Sequence, residues 1–135
     1  MTRHIAHAIA AALIGLLSVS CVPNLSRAKM AATEVAAVSS IKTIHIAQVQ
    51  YSSDTGHFAT SLAELANILG PELASGQKNG YKFTLTPHGT GYQITAVPVT
   101  FNVTGSRTFF SDETMVVRQN RGAEPATANS PEFGQ

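Results

Sequence analysis

The stretch Leu25–Tyr51, LSRAKMAATEVAAVSSIKTIHIAQVQY, contains neither glycine nor proline and is rich in alanine, the strongest helix former. Ala37, Ile41, Ile44, Ala47 and Tyr51 recur at spacings of four, three, three and four, which puts them on one face of a helix. Val35, Val38, Ile46 and Val49 widen that stripe, so the helix is expected to be covered over most of its circumference. Arg27, Lys29 and Lys42 with Glu34 read as a solvated edge. Pro23 marks the start of the helix or a kink, because it lacks a backbone donor.

Toward the N-terminus the composition changes. The chain has 135 residues, 44% of them apolar, and the apolar share is concentrated at the front. No charged residue occurs between Arg3 and Arg27. A short basic start, an apolar run from Ala8 to Leu17 and a small-residue exit follow the plan of a secretory signal. Ten residues are fewer than the roughly 20 of a membrane span, although the uncharged stretch extends to Leu25. Leu17-Ser18-Val19-Ser20-Cys21 resembles the lipobox of bacterial lipoproteins, where the cysteine thiol carries a diacylglycerol. Cys21 is therefore the lipidation candidate; the alternative is a small apolar residue within a membrane helix. Either reading exports the chain to the cell envelope and tethers it to the membrane.

Toward the C-terminus, Ser52–Gly56 carries turn chemistry. A short helix is expected from Ser61, with Glu64 at capping-box spacing and Gly70-Pro71 ending it. From Asn79 the period becomes two. Tyr81, Phe83 and Leu85 alternate with Lys82, Thr84 and Thr86, and Tyr92, Ile94 and Ala96 with Gln93, Thr95 and Val97, two strands of a hairpin around Pro87–Gly91. Arg107–Ser111 and Met115–Arg118 are a second candidate pair around Asp112-Glu113-Thr114. The fold class is α+β, one long N-terminal helix on a small antiparallel sheet of about four strands. The divisions are a leader over 1–21, a domain over 22–118 and a flexible, polar tail over 119–135.

A net charge of +1 lacks the basic excess of a nucleic-acid binder, and the single cysteine allows no intramolecular disulfide. Ser26-Arg27-Ala28-Lys29 fits S-x-x-K, but acyl-serine chemistry needs a buried lysine and partner motifs across a cleft; a helix edge is the expected reading. His4, His7, His45, His57 and His88 show no metal-ligand spacing, and solvated histidines are expected at positions 45, 57 and 88. Asp112 and Glu113 are adjacent, unlike two carboxylates converging on one cleft, and a turn role is expected for Asp112. No enzymatic activity, cofactor or small-molecule substrate is expected.

The stretch from Val22 to Ala32, then Glu34–Ile44 and Ala47–Tyr51, resembles the type IV pilin and pseudopilin family where the apolar half of the pilin helix passes into its amphipathic half. Gly80–Pro87, Ala96-Val97-Pro98-Val99 and Gly105–Asp112 resemble short bacterial pilin-like proteins. The likeness spans about Val22 to Arg118. It implies a structural protein related to type IV pilus or type II secretion pseudopilus subunits, packing through Val35, Val38, Ile41 and Ile44, with the membrane and other pilin-like subunits as partners. The leader departs from the family. The glycine cut by a prepilin peptidase would fall near Met1 and the assembly glutamate near Ala6, and neither residue type is there. A second expectation is thus a stand-alone envelope lipoprotein of pilin-like fold that binds a partner.

Overall fold

The computed structural model describes residues 22–135, with side chains from Asn24 onward. The leader expected over 1–21, with Cys21, lies outside the described residues. Helix α1 runs Val22–Thr55, 34 residues, or about 50 Å at 1.5 Å per residue. It continues through Ser52–Thr55, expected as a break, and stops where Gly56 takes a φ of +84°. There the Gly56 N–H donates to the Ser52 carbonyl at 2.9 Å, a helix ending that suits glycine.

The inward face of α1 is the one its spacing predicts. Ala37, Ile41, Ile44 and Ala47 are buried, and Tyr51 packs against the same cluster. Coverage is one-sided, however: Val38 is buried while Val35, Ile46 and Val49 are exposed. A single small sheet offers one face, which covers a stripe of a helix rather than its circumference. Glu34, expected at a solvated edge, is also buried. Its Oε1 accepts from the Ser106 N–H and hydroxyl, both at 2.8 Å, and its Oε2 lies 3.4 Å from Arg107 Nε. Glu34→Gln keeps the shape and loses the charge, and is expected to lower the unfolding free energy by about 1–2 kcal/mol in urea titration.

The expected short helix is divided. A 3₁₀ turn spans Ala63–Leu65, α2 spans Ala66–Leu69 and α3 spans Pro71–Ala74. Half of the capping box forms: the Glu64 carboxylate accepts from the Thr60 and Ser61 N–H groups. Pro71 begins α3 instead of ending the segment, as proline is tolerated at a first helical position.

The sheet is a meander of five antiparallel strands in chain order: β1 Gln77–Lys78, β2 Tyr81–His88, β3 Gly91–Pro98, β4 Arg107–Asp112 and β5 Arg118–Arg121. The strand beyond the expected four is β1. Asn79 and Gly80, with φ of +49° and +78°, fold Lys78 back onto Tyr81. In β2 and β3, Tyr81, Phe83, Leu85, Tyr92, Ile94 and Ala96 point inward. The β2–β3 turn is tighter than expected, because Pro87 and His88 belong to the strand and His88 pairs with Gly91. Since β1 pairs with β2 only at Tyr81 and Lys82, Pro87 sits at an open edge, where a missing N–H is accommodated.

The return strand starts later than Met115. Asp112 Oδ1 accepts from the Thr114 N–H at 3.0 Å, the expected turn role, and Met115 takes a φ of +65°. Pairing therefore begins at Arg118 against Phe110. The segment expected as a flexible tail is built into the domain. Gln119–Arg121 lie in β5, and Thr108 Oγ1 donates to the Glu124 carbonyl at 2.7 Å and accepts from the Ala126 N–H at 2.9 Å. Ala126 is buried, and the Phe133 ring meets Phe109 edge-on at 5.4 Å. Two apolar anchors and satisfied backbone groups hold a segment whose average composition is polar.

Candidate functional site

With its inner face filled, α1 presents a second pattern outward. Leu25, Ala28, Ala32, Val35, Ser39, Lys42, Ile46, Val49 and Ser53 alternate at spacings of three and four, and every one of them is exposed. At 100° per residue this row lies roughly 150° around the helix from the Ile41–Ile44 stripe. A three-four repeat is the pattern of a seam between two helices. Its apolar members are well exposed, Val35 by 61%, Ile46 by 67% and Val49 by 49%. Isolated apolar residues on a surface are ordinary; here Leu25, Ala28, Ala32 and Val35 form one exposed apolar run and Ile46 and Val49 another, separated by Ser39 and Lys42.

At its C-terminal end the seam opens into an apolar groove of about 580 Å³. Ile46 and Val49 form one wall, and Met115, from the turn between β4 and β5, stands opposite. The positive φ of Met115 carries its side chain out of the strand path and leaves it half exposed. Of the residues expected to pack against a partner, only Val35 lies on this face. Val38, Ile41 and Ile44 are core, and Cys21 lies outside the described residues. Ile46, Val49 and Met115 are the additions. The spacing signal for the first two is present in the sequence, overlaid by the stronger core stripe.

His45 lies at the base of the groove and is buried, contrary to the expected solvated histidine. Its Nδ1 is 2.7 Å from the Tyr92 hydroxyl and its Nε2 is 2.7 Å from Ser111 Oγ. The Ser111 hydroxyl donates its proton to the Val116 carbonyl at 2.9 Å, so Ser111 Oγ accepts from His45 Nε2–H. His45 Nδ1 then accepts from Tyr92. The neutral ring is fully satisfied, joining α1 to β3 and β4. Burial pushes the His45 pKa below its usual value, with the Asp112 charge opposing. Burial, with Glu113 and Asp112 nearby, pushes the Tyr92 hydroxyl up to about 12. Both shifts favour the neutral forms of the two groups.

Ser26 and Lys29 are both exposed on the first turns of α1, as a helix edge requires. Among the described residues no group of three or more metal-ligating side chains converges, and no helix is long and apolar enough to cross a membrane. No family model, no curated protein and no solved structure matches the chain.

Proposed function

We propose that this chain is an exported, membrane-tethered structural protein of the pilin-like kind, which acts by packing the outward face of α1 against a second copy of itself. The observation that carries the reading is the exposed three-four seam on a helix whose other face is already filled by its own sheet. Self-packing suits the seam's composition. Small Ala28, Ala32 and Ser39 lie along it among Leu25, Val35, Ile46 and Val49, so two like helices can approach closely in parallel register, with Ile46 against Ile46. The resemblance of the Val22–Arg118 strings to pilins and pseudopilins supports the same reading, as does the apolar leader feeding directly into α1. Tethering would keep neighbouring copies in one plane and raise their effective concentration.

The test places one cysteine at position 46 or at exposed Glu72 in α3, with Cys21 retained and the chain without an added cysteine as the baseline, in membranes of expressing cells. Oxidation should give a disulfide-linked dimer for Ile46→Cys and not for Glu72→Cys, and adding Val35→Asp should abolish it. Equal cross-linking at both positions, or none at 46, would sink the packing reading. In a separate arm, palmitate incorporation lost in Cys21→Ala, with no like-to-like cross-link, would favour the stand-alone lipoprotein that binds a different partner.

A further inference from the structure

Away from the groove, at the N-terminal end of α1, a compact loop leaves the sheet between β3 and β4. The Val103 and Thr104 N–H groups both donate to the Thr100 carbonyl, at 3.1 and 2.9 Å, and the Asn102 N–H donates to the Gly105 carbonyl at 2.8 Å. The loop is fastened to the helix through the Thr33 hydroxyl, which donates to the Thr104 carbonyl. Gly105 has no room for a side chain: a Cβ there would lie 2.0 Å from the Tyr81 hydroxyl. A loop so constrained could have turned its apolar residues inward, yet it holds Val99, Phe101 and Val103 exposed, Val103 by 66%.

Cations predominate in the two grooves beside this tip: Lys29 lines one, and Arg27 and Arg107 line the other, with Glu34 as its acidic member. No acidic residue precedes Glu34, and none occurs from Val99 to Thr108. Glu34 itself is buried against Ser106 and Arg107. Exposed Arg27 and Lys29 flank the tip, and Val103 and Asn102 face Ser26, Lys29 and Met30 across a shallow groove of about 360 Å³. Along α1 that level is about 6–12 Å from Val22 at 1.5 Å per residue. A headgroup layer is about 5–8 Å deep. The loop therefore stands one headgroup layer, plus a side chain, from where the apolar leader gives way to the helix.

We infer that the loop Val99–Gly105 is a second membrane contact, seating Phe101 and Val103 in the headgroup layer while Arg27 and Lys29 meet anionic lipid. Apolar side chains beside cations are the composition that lies in a bilayer interface, and each cation near an anionic surface adds to the attraction. Two contacts, leader and loop, would fix the tilt of α1 and so aim its outward seam along the membrane plane. The inference rests on the membrane tether of the proposed function, but not on self-packing.

The chain contains no tryptophan, so a single introduced one is a clean reporter. The full chain would be reconstituted in phosphatidylcholine–phosphatidylglycerol vesicles containing lipid brominated close to its carbonyl groups. Three variants would be compared: Val103→Trp, Leu13→Trp in the leader and Ile68→Trp on α2. The expected result is a blue-shifted, bromine-quenched Val103→Trp, with Ile68→Trp unquenched, and loss of quenching in Val103→Trp when Phe101→Asp is added to a chain that remains folded by circular dichroism. Quenching at position 13 without quenching at 103 would overturn the loop contact and leave the tether standing. Quenching at 103 alone would uphold the loop contact and remove the tether. Quenching at neither would remove both. Protection of position 103 from iodide without bromine quenching would mean a protein partner there, and would also overturn the inference.

Discussion

Ile44→Ala is expected to lower the free energy of unfolding by about 2–5 kcal/mol, whereas Ile46→Ala, two residues along the same helix, should change it by less than about 0.5 kcal/mol. The two side chains have the same chemistry and nearly the same helix propensity, so only their surroundings separate them. Ile44 is fully enclosed, and Ile46 is 67% exposed. Truncating Ile44 forfeits the transfer of its methyl groups from water and leaves a void between α1 and the sheet, which side chains packed at crystal density fill poorly. Truncating Ile46 uncovers nothing, because its neighbours on that face are already solvated. Urea midpoints followed by helix circular dichroism would rank the pair. Equal losses would mean that the sheet covers both faces and that the outward seam is not free. In the membrane cross-linking assay the outward face decides instead: Val35→Asp should abolish the disulfide at position 46 while leaving the fold intact.

That contrast also shows where sequence patterning stops. The stripe Ala37–Ile41–Ile44–Ala47 and the alternation in Tyr81–Leu85 and Tyr92–Ala96 were legible, because helix and strand periods separate inside from outside within a few residues. How far the cover extends around α1 was not, since it depends on the width of a sheet assembled from distant strands. Val35, Ile46 and Val49 are as apolar as the core residues, and only the finished sheet leaves them outside. The return strand slipped for a local reason: Asp112 takes the Thr114 N–H into its turn, which delays pairing to Arg118. The segment beyond Arg121 reads as polar on average, yet its order depends on single anchors, Ala126 and Phe133, that averaging conceals.

The site was legible to a similar degree. Val35, which the pilin resemblance expects to pack against a partner, is exposed on the candidate face, but Met115 reaches the groove only through a turn geometry with no sequence period. His45 carried no signal of its own. Its partners Tyr92 and Ser111 lie 47 and 66 residues away, and a polar ring amid apolar helix positions is normally placed outward. The one available hint was its position, four residues after Ile41 and three before Gln48, itself fully buried and exchanging hydrogen bonds with the Ala59 backbone. Buried polar groups in this chain serve to join elements: Glu34 holds the loop before β4, Gln48 the segment after α1, and His45 the two central strands.

His45→Ala should cost about 3–5 kcal/mol near neutral pH, because it combines a cavity with an unpartnered hydroxyl. Ser111 retains its bond to Val116, so the uncompensated group is Tyr92. The comparison of His45→Leu, Tyr92→Phe and the double variant isolates that penalty. The double variant should be more stable than the sum of the single losses predicts, by about 0.5–3 kcal/mol, since it removes both halves of the bond. The wild-type chain should also lose stability on mild acidification. Protonating His45 places a hydrogen on Nδ1, where Tyr92 already donates, and adds charge to a buried ring. The folded-state pKa is therefore lowered from 6.5, and unfolded chains bind a proton that folded ones exclude. The contribution is present in full above about pH 7, is lost as pH falls from there to the folded-state value, and changes no further below it. Urea midpoints at about pH 7.5 and about pH 5.5 should fall further for the wild type than for His45→Leu. An equal fall in both would assign the acid sensitivity to other groups and remove His45 as the neutral joint between α1 and the sheet.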